Sequence, residues 1–175
     1  DPGNGQILAG GIDLQQIAPD WWRQQIIYLP QEPYFIDGSI RDNFNAFKPD
    51  LTTQGIRKLL VDVGLESLID ESPGGLDQPV GKAGINFSLG VRRRIALARA
   101  LSHDGPLAIL DEPTEGIDAI GASYVYRIMN EMVRSKKTII ACSHDRDIIR
   151  GAHLFLDLDE GPSPIVKAIN KDDNI

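Results

Sequence analysis

The hydrophobic pattern divides the chain into short apolar strands separated by amphipathic helices. Three apolar runs predict strands: Ile26–Leu29, Leu107–Leu110 and Thr138–Cys142. The second run is unbroken and ends at two carboxylates, which is typical of a strand buried on both faces of a parallel sheet. Residues Gln6–Ala9, followed by two glycines, predict one arm of an antiparallel hairpin, and 154–158 and 165–169 predict two closing strands.

Helical periodicity and capping residues predict six helices, over 19–23, 39–43, 52–63, 65–69, 88–102 and 118–134. The clearest begins at Ser88. Its apolar positions are Val91, Ile95, Ala98 and Leu101, and its arginines, at positions 92, 93, 94 and 99, are expected to face away from that stripe. Residues 72–85 are rich in glycine and proline and predict a loop.

Candidate chemistry is concentrated where the strand Leu107–Leu110 ends, at Asp111 and Glu112. Open α/β sheets place their functional groups at the carboxyl ends of strands. Two adjacent acids there favour metal-assisted phosphoryl transfer, in which Asp111 holds Mg²⁺ and Glu112 orients and deprotonates the attacking water. The structural alternative is a strand end whose acids cap the following turn.

Two further residues have both a structural and a functional interpretation. His144 follows the third strand; a histidine there is usually structural, but at the same sheet edge as Asp111 it is a candidate ligand for a γ-phosphate. Ser88, at a helix N-terminus, fits either an anion site or a plain N-cap, and the cap is the better interpretation of a lone serine. Cys142 lies in an apolar run and predicts a buried, inert thiol.

The composition fits one soluble α/β domain of 175 residues with 42% apolar and 25% charged residues. A formal net charge of −7 argues against a nucleic-acid partner. The single cysteine excludes an internal disulfide and fits a reducing compartment. The chain has no apolar run long enough to cross a bilayer and no secretory signal. It opens on Asp1–Gly5, which is typical of a turn, so we expect a piece of a longer polypeptide.

The pair Gly81-Lys82 invites a search for a phosphate-binding P-loop. That motif needs a glycine five residues before the Gly-Lys pair and a hydroxyl after it. Position 76 is Leu and position 83 is Ala, so the match fails twice, and Lys82 is interpreted as an exposed loop lysine. The pattern Gly-x-x-x-x-Gly-Lys-Ser/Thr occurs nowhere else in the sequence.

The order of these features resembles the nucleotide-binding domain of ATP-binding cassette (ABC) transporters. The resemblance covers nearly the whole chain and rests on five motifs in order, at 30–33, 87–101, 107–113, 114–118 and 143–144; residues 31–44 look most like the exporter branch. It implies a P-loop NTPase-like (RecA-like) α/β fold with a mostly parallel sheet flanked by helices. It also implies a helical subdomain near 39–102, a core formed by 1–38 and 103–175, and a remnant of an N-terminal antiparallel sheet.

The resemblance also implies roles for the residues that hydrolyse ATP. Gln31 is similar to the Q-loop glutamine, a ligand of Mg²⁺ and water. Asp111 and Glu112 are similar to the Walker B acid and the catalytic base, and His144 to the H-loop switch. The cofactors implied are ATP and Mg²⁺.

Three other residues are implied at the contact with a second nucleotide-binding domain: Ser88 and Gly90 of the signature motif, and Asp118 of the D-loop. Transmembrane domains are the other implied partner, facing residues 31–43 and the loop before Ser88. The expected location is therefore the cytoplasmic face of a membrane, with this piece itself soluble.

Two departures from the family pattern matter. The signature Leu-Ser-Gly-Gly-Gln reads Phe-Ser-Leu-Gly-Val here; Leu89 replaces a glycine and Val91 removes an amide, which predicts a weakened composite ATP site in an identical or a different partner. The Walker A loop and the adenine-stacking aromatic residue are missing, so this piece alone is expected to be inactive. Two alternatives stay open: a non-transport ATPase of the same superfamily and a non-catalytic regulatory module.

Overall fold

The structure is a computed structural model that describes residues 4–158 and 165–168. Its strands are β1 Leu8–Ala9, β2 Ile12–Asp13, β3 Ile26–Leu29, β4 Leu107–Asp111, β5 Thr138–Cys142, β6 Leu154–Asp157 and β7 Ile165–Ala168. Its α-helices are α1 Pro19–Gln24, α2 Ile40–Asn45, α3 Thr53–Asp62, α4 Glu66–Asp70, α5 Leu89–Ala100, α6 Ala119–Arg134 and α7 Arg146–Gly151. Most of the turn predicted over 1–5, and residue 169 of the last predicted strand, lie outside the described residues.

The sheet that organises the fold contains β3, β4 and β5 in that order, all parallel. The chain crosses from β3 to β4 through α2–α5, and from β4 to β5 through α6. The predicted hairpin is confirmed, because β1 pairs antiparallel with β2, and β6 pairs antiparallel with β7. This arrangement confirms the α/β fold and brings the carboxyl ends of β3, β4 and β5 to one edge.

The core lies on one face of this sheet. Ile27 and Leu29 of β3 and Ala108 and Leu110 of β4 are buried there, in one cluster with residues of α5 and α6. The prediction that β4 is buried on both faces is wrong for the described part of the chain. On the opposite face Leu107 and Ile109 of β4 are only half-buried. Beside them Tyr28 of β3 is 53% exposed and Ile140 of β5 is 52% exposed.

Cys142 belongs to the same uncovered face and is exposed. The prediction of a buried thiol is therefore wrong, because an apolar run in the sequence does not show which of its two faces the helices cover. In β5 the exposed and half-buried positions alternate along the strand. Burial on one face only produces this alternation, since successive side chains of a strand point to opposite faces.

Helix α5 lies at the centre of the molecule, between α3 and β3. It begins at the predicted N-cap Ser88, whose Oγ accepts a hydrogen bond from the backbone N–H of Val91 at 3.3 Å. The prediction that its arginines face away from the core is wrong for two of them: Arg93 is 8% exposed and Arg99 is 5% exposed. A helix enclosed on several sides has no fully solvated face, so its cations must find internal acceptors.

The remaining helices follow their capping signals. Ser39 forms a capping box with Asp42 at the start of α2, Thr52 caps α3 and Asp118 caps α6. The short helix α7 was not predicted from the pattern. None of the described helices combines the length and the apolar character needed to span a membrane. The helices between β3 and β4 fit the expected subdomain, whose limits at about 39–102 stay a prediction.

Candidate functional site

The predicted acids and the histidine meet at the carboxyl edge of the parallel sheet. Gln31 follows β3, Glu112 follows β4 and His144 follows β5. His144 Nδ1 lies 2.6 Å from Glu112 Oε1, whichever of the two carries the shared proton. Gln31 Nε2 donates a hydrogen bond of 3.4 Å to Glu115, three residues beyond Glu112. Parallel pairing therefore brings together residues that are more than 110 positions apart in sequence.

The backbone of Glu112 is held in a conformation that non-glycine residues seldom adopt, with φ at +44°. Its N–H donates to the Cys142 carbonyl at 2.8 Å, which continues the β4–β5 ladder by one residue. Its carbonyl accepts from the Glu115 N–H at 3.2 Å and from Arg93 Nη1 at 3.1 Å. Left-handed backbone at a non-glycine residue costs about 1–3 kcal/mol and is concentrated at functional sites.

The Glu112 side chain is fixed as firmly as its backbone. Only 16% of it is exposed, whereas 96% of the His144 side chain is exposed. Besides His144, the Ser143 hydroxyl approaches Glu112 Oε2 at 3.5 Å. A carboxylate held in one orientation at a sheet edge is suited to accept a proton from a positioned water.

Asp111 is the last residue of β4, half-buried, and lies opposite Cys142 in the sheet register. The described residues contain no cluster of three or more His, Cys, Asp or Glu side chains that could hold a metal alone. Mg²⁺ is nonetheless commonly held by one or two carboxylates, with nucleotide phosphates and waters as the other ligands. Asp111, with the amide oxygen of Gln31 near the adjacent strand end, fits such a partial ligand set.

Asp145 fixes the segment that carries His144, a role not predicted from the sequence. Its Oδ2 accepts from Thr114 Oγ1 at 2.7 Å and from the Tyr126 hydroxyl at 2.6 Å. Its Oδ1 accepts from the N–H of Asp147 at 2.8 Å, at the start of α7. Burial raises the pKa of Asp145, but these hydrogen bonds outweigh it and hold the pKa below its usual value. The hydrogen bond between Tyr126 and Asp145 also raises the pKa of Tyr126 to about 12.

Arg93 and Glu115 form a second contact missed by sequence reasoning. Arg93 Nη2 lies 2.7 Å from Glu115 Oε2, the oxygen that also accepts from Gln31. The Arg93 hydrogen bond, followed by that of Gln31, lowers the pKa of Glu115. The one available signal was the spacing of Arg93 from Ala96, Leu97 and Ala100, which places an arginine on a buried helical stripe.

No described contact joins Ser88, Gly90 or Asp118 to the Glu112–His144 pair. Ser88 caps α5, and Asp118 caps α6 by accepting from the Gly121 N–H at 2.7 Å. Gly90 packs against the turn after β4: a Cβ there would lie 3.3 Å from the Gly116 carbonyl oxygen. Within this chain these three residues therefore have structural roles. Lys82 is exposed, as expected of a loop lysine.

Comparison with known proteins identifies relatives of this chain. The chain is 37% identical over 144 residues to the glutathione/L-cysteine transport system ATP-binding/permease protein CydC of Escherichia coli, covering 82% of this chain and 25% of that protein. It is 34% identical over 161 residues to the ATP-dependent lipid A-core flippase of Neisseria meningitidis, covering 92% of this chain and 26% of the flippase. The chain thus spans about a quarter of the length of these relatives.

A solved structure has the same fold. A bacterial Atm1-family ABC exporter with ATP bound superposes with a TM-score of 0.83 at 24% identity, covering 89% of this chain and 27% of the exporter chain. A profile of the ABC transporter family matches residues 1–115. From the matched motifs, the fold and these relatives together, the chain belongs to the ABC transporter family.

Proposed function

We propose that this chain is part of the ATP-hydrolysing domain of a membrane exporter, which couples ATP hydrolysis to export. The observation that carries the proposal is the Glu112–His144 contact of 2.6 Å at the edge where Asp111 and Gln31 also lie. The relatives support it, since one is named an ATP-dependent flippase and another a transport system protein. Export as the direction of transport rests on the exporter-like stretch near Gln31.

In the proposed mechanism Glu112 orients the attacking water and accepts its proton. His144, whose side chain is 96% exposed, contacts the Glu112 carboxylate and would contact the terminal phosphate. Asp111 and Gln31 would hold Mg²⁺, which neutralises phosphate charge when it is bound with ATP. The fixed backbone of Glu112 keeps its carboxylate in one place, and such positioning is the main protein contribution to phosphoryl transfer.

The proposed partners are transmembrane domains of the same transporter and a second nucleotide-binding domain. Ser88, Gly90 and Asp118 are exposed or half-buried at the start of α5 and α6, where a partner could reach them. Leu89 and Val91 alter the signature, so we propose that the ATP site this chain offers to its partner is weakened. The proposed location is the cytoplasmic face of a membrane.

The 175 residues contain no Walker A pattern, whose backbone N–H groups and lysine supply most of the grip on ATP. We therefore propose that the chain on its own does not hydrolyse ATP, whereas the full-length protein does. The test compares ATP turnover by both, with an Asp111→Asn full-length variant as the site control. Turnover by the isolated chain, or an unaltered rate in Asp111→Asn, would contradict the assignment.

A regulatory module without turnover is the second candidate, and the changes at Leu89 and Val91 favour it. Replacing Leu89 with Gly and Val91 with Gln in the full-length protein distinguishes an active ATPase from a regulatory module. An ATPase with one weakened site gains turnover on this change, whereas a module without turnover stays inactive.

A further inference from the structure

Arg93 is a buried cation whose acceptors both come from the turn that carries Glu112. The residue is 8% exposed, in the second turn of α5. Nη1 donates to the Glu112 carbonyl at 3.1 Å, and Nη2 donates to Glu115 Oε2 at 2.7 Å. The arginine therefore contacts the two ends of the four-residue turn 112–115 at once.

The charge of Arg93 makes this contact strong. A buried guanidinium needs internal acceptors, and removing a partner from a buried charge is costly. The Nε atom of Arg93 is buried and has no hydrogen-bond partner among the described residues. Among the described residues, the turn 112–115 thus supplies the acceptors that compensate the charge of Arg93. The same two hydrogen bonds hold the turn in its conformation.

Glu115 extends the contact to a third segment. Its Oε2 accepts from Arg93 and from Gln31 Nε2, at 2.7 and 3.4 Å. One carboxylate oxygen thereby joins α5, the turn after β4 and the segment after β3. The backbone of Glu112, at φ +44°, lies in the middle of this arrangement and is held by two donors to its carbonyl.

We propose that Arg93 is the positioning residue for Glu112, and that through Glu115 it also sets the place of Gln31. The inference rests on the proposed function, because it assigns to Arg93 the geometry of that same site. Arg93 does not touch the reacting groups. It keeps the strained turn in the conformation that points the Glu112 carboxylate at His144.

The test uses the full-length protein with Arg93→Gln. We expect kcat for ATP hydrolysis to fall by about 10- to 100-fold, the usual effect of losing an outer-shell partner, while KM for ATP changes by less than about threefold. Arg93→Lys keeps the charge but cannot reach both acceptors, so its kcat is expected to lie between those of the wild type and of Arg93→Gln. Because Arg93 and Glu115 act through one contact, the kcat of Arg93→Gln/Glu115→Ala is expected to fall no further than that of Arg93→Gln alone.

The control is Arg57→Gln, which removes another arginine–carboxylate contact, between Arg57 of α3 and Asp70 of α4. Its kcat is expected to stay at the wild-type value. An Arg93→Gln protein with wild-type kcat, or with kcat and ATP affinity reduced in parallel, would overturn the inference. If Arg93→Gln does not fold, Glu115→Gln replaces it, with an expected fall in kcat of about threefold or more.

A second readout separates this inference from the proposed function. If wild-type protein shows no ATPase activity, the proposed function fails, and hydrogen–deuterium exchange still tests Arg93. Amides of 110–117 are expected to exchange about tenfold faster in Arg93→Gln than in wild type or Arg57→Gln. Equal exchange in all three proteins would refute the positioning role whatever the activity.

Discussion

Leu89 packs over Gly116, the second residue before Asp118. A Cβ built on Gly116 would lie 2.7 Å from Leu89 Cδ2, closer than non-bonded carbon atoms approach, and Gly116 has φ at +67°. Leu89, one of the residues that depart from the family signature, is therefore accommodated by a glycine of the same chain. The altered signature has its own local packing partner.

Gly116→Ala is expected to destabilise the chain for two separable reasons. A left-handed alanine costs about 1–2 kcal/mol, and overpacking against Leu89 adds about 1 kcal/mol or more. Gly75→Ala is the control for strain alone, because Gly75 has φ at +51° and its nearest neighbouring atom would lie at 3.9 Å. Urea unfolding measures the loss of stability in both variants.

The packing contribution is isolated by a third variant. In a Leu89→Ala background, Gly116→Ala is expected to cost no more than Gly75→Ala costs in wild type. An unchanged cost in that background would show that Leu89 and Gly116 are not coupled.

Arg99 is a second buried cation of α5, and its replacement by lysine is expected to be costly. Its guanidinium carbon lies 4.5 Å from the Phe35 ring centroid and 4.7 Å from that of Phe47, and Nη2 donates to the Tyr34 carbonyl at 2.6 Å. Burial lowers the pKa of Arg99 to about 10, so the group is still charged at neutral pH.

Lysine keeps the charge but cannot stack as a plane or reach several acceptors. Arg99→Lys is expected to lower the free energy of unfolding by about 2–3 kcal/mol. Arg57→Lys, at a partly exposed contact, should cost less than about 0.5 kcal/mol. Equal urea midpoints for the two variants would argue against the stacked arrangement.

The Asp145 network predicts a pH-dependent contribution to stability. The pKa of Asp145 is held below its usual value of 3.8, so the folded state favours the charged carboxylate. Its stabilisation is present above that usual value and is lost as the pH falls through the depressed pKa. Asp145→Asn is therefore expected to be about 1–2 kcal/mol less stable than wild type at pH 7.

That difference is expected to shrink as the pH falls, because a protonated Asp145 resembles the asparagine. Urea midpoints at pH 7 and at pH values below the usual aspartate pKa measure it. Asp147→Asn, two residues along, serves as the control and should differ little from wild type at any pH. A difference that grows on acidification would contradict the network.

Patterns local in sequence predicted the elements well. The bounds of β5 were predicted as observed, and β3 likewise, because each apolar run is bounded by polar or turn residues. The predicted helical ranges begin at Ser39, Thr52 and Asp118, which are the N-caps of α2, α3 and α6, because a capping side chain acts within three residues of its own position. Asp111, Glu112 and His144 were expected at one edge of the sheet because parallel strands have their carboxyl ends on the same side.

The features that escaped prediction depend on distant partners. Arg93 was expected to face away from the apolar stripe, yet Glu115, 22 positions later in sequence, lies beside it in the fold. Cys142 was expected to be buried, and only the placement of α5 and α6 on one sheet face shows otherwise. Helix α7 is a local exception: its six residues are too few for a periodic pattern, and its cap Asp145 was the one signal in the sequence.

In the proposed function, Glu112 is the base that activates water for ATP hydrolysis. The most direct measurement is ATP turnover and ATP binding by the full-length protein carrying Glu112→Gln, beside the wild type. We expect turnover to fall by at least about 100-fold, within the usual range for a lost general base, while ATP still binds. Turnover at the wild-type rate in Glu112→Gln would contradict this role of Glu112.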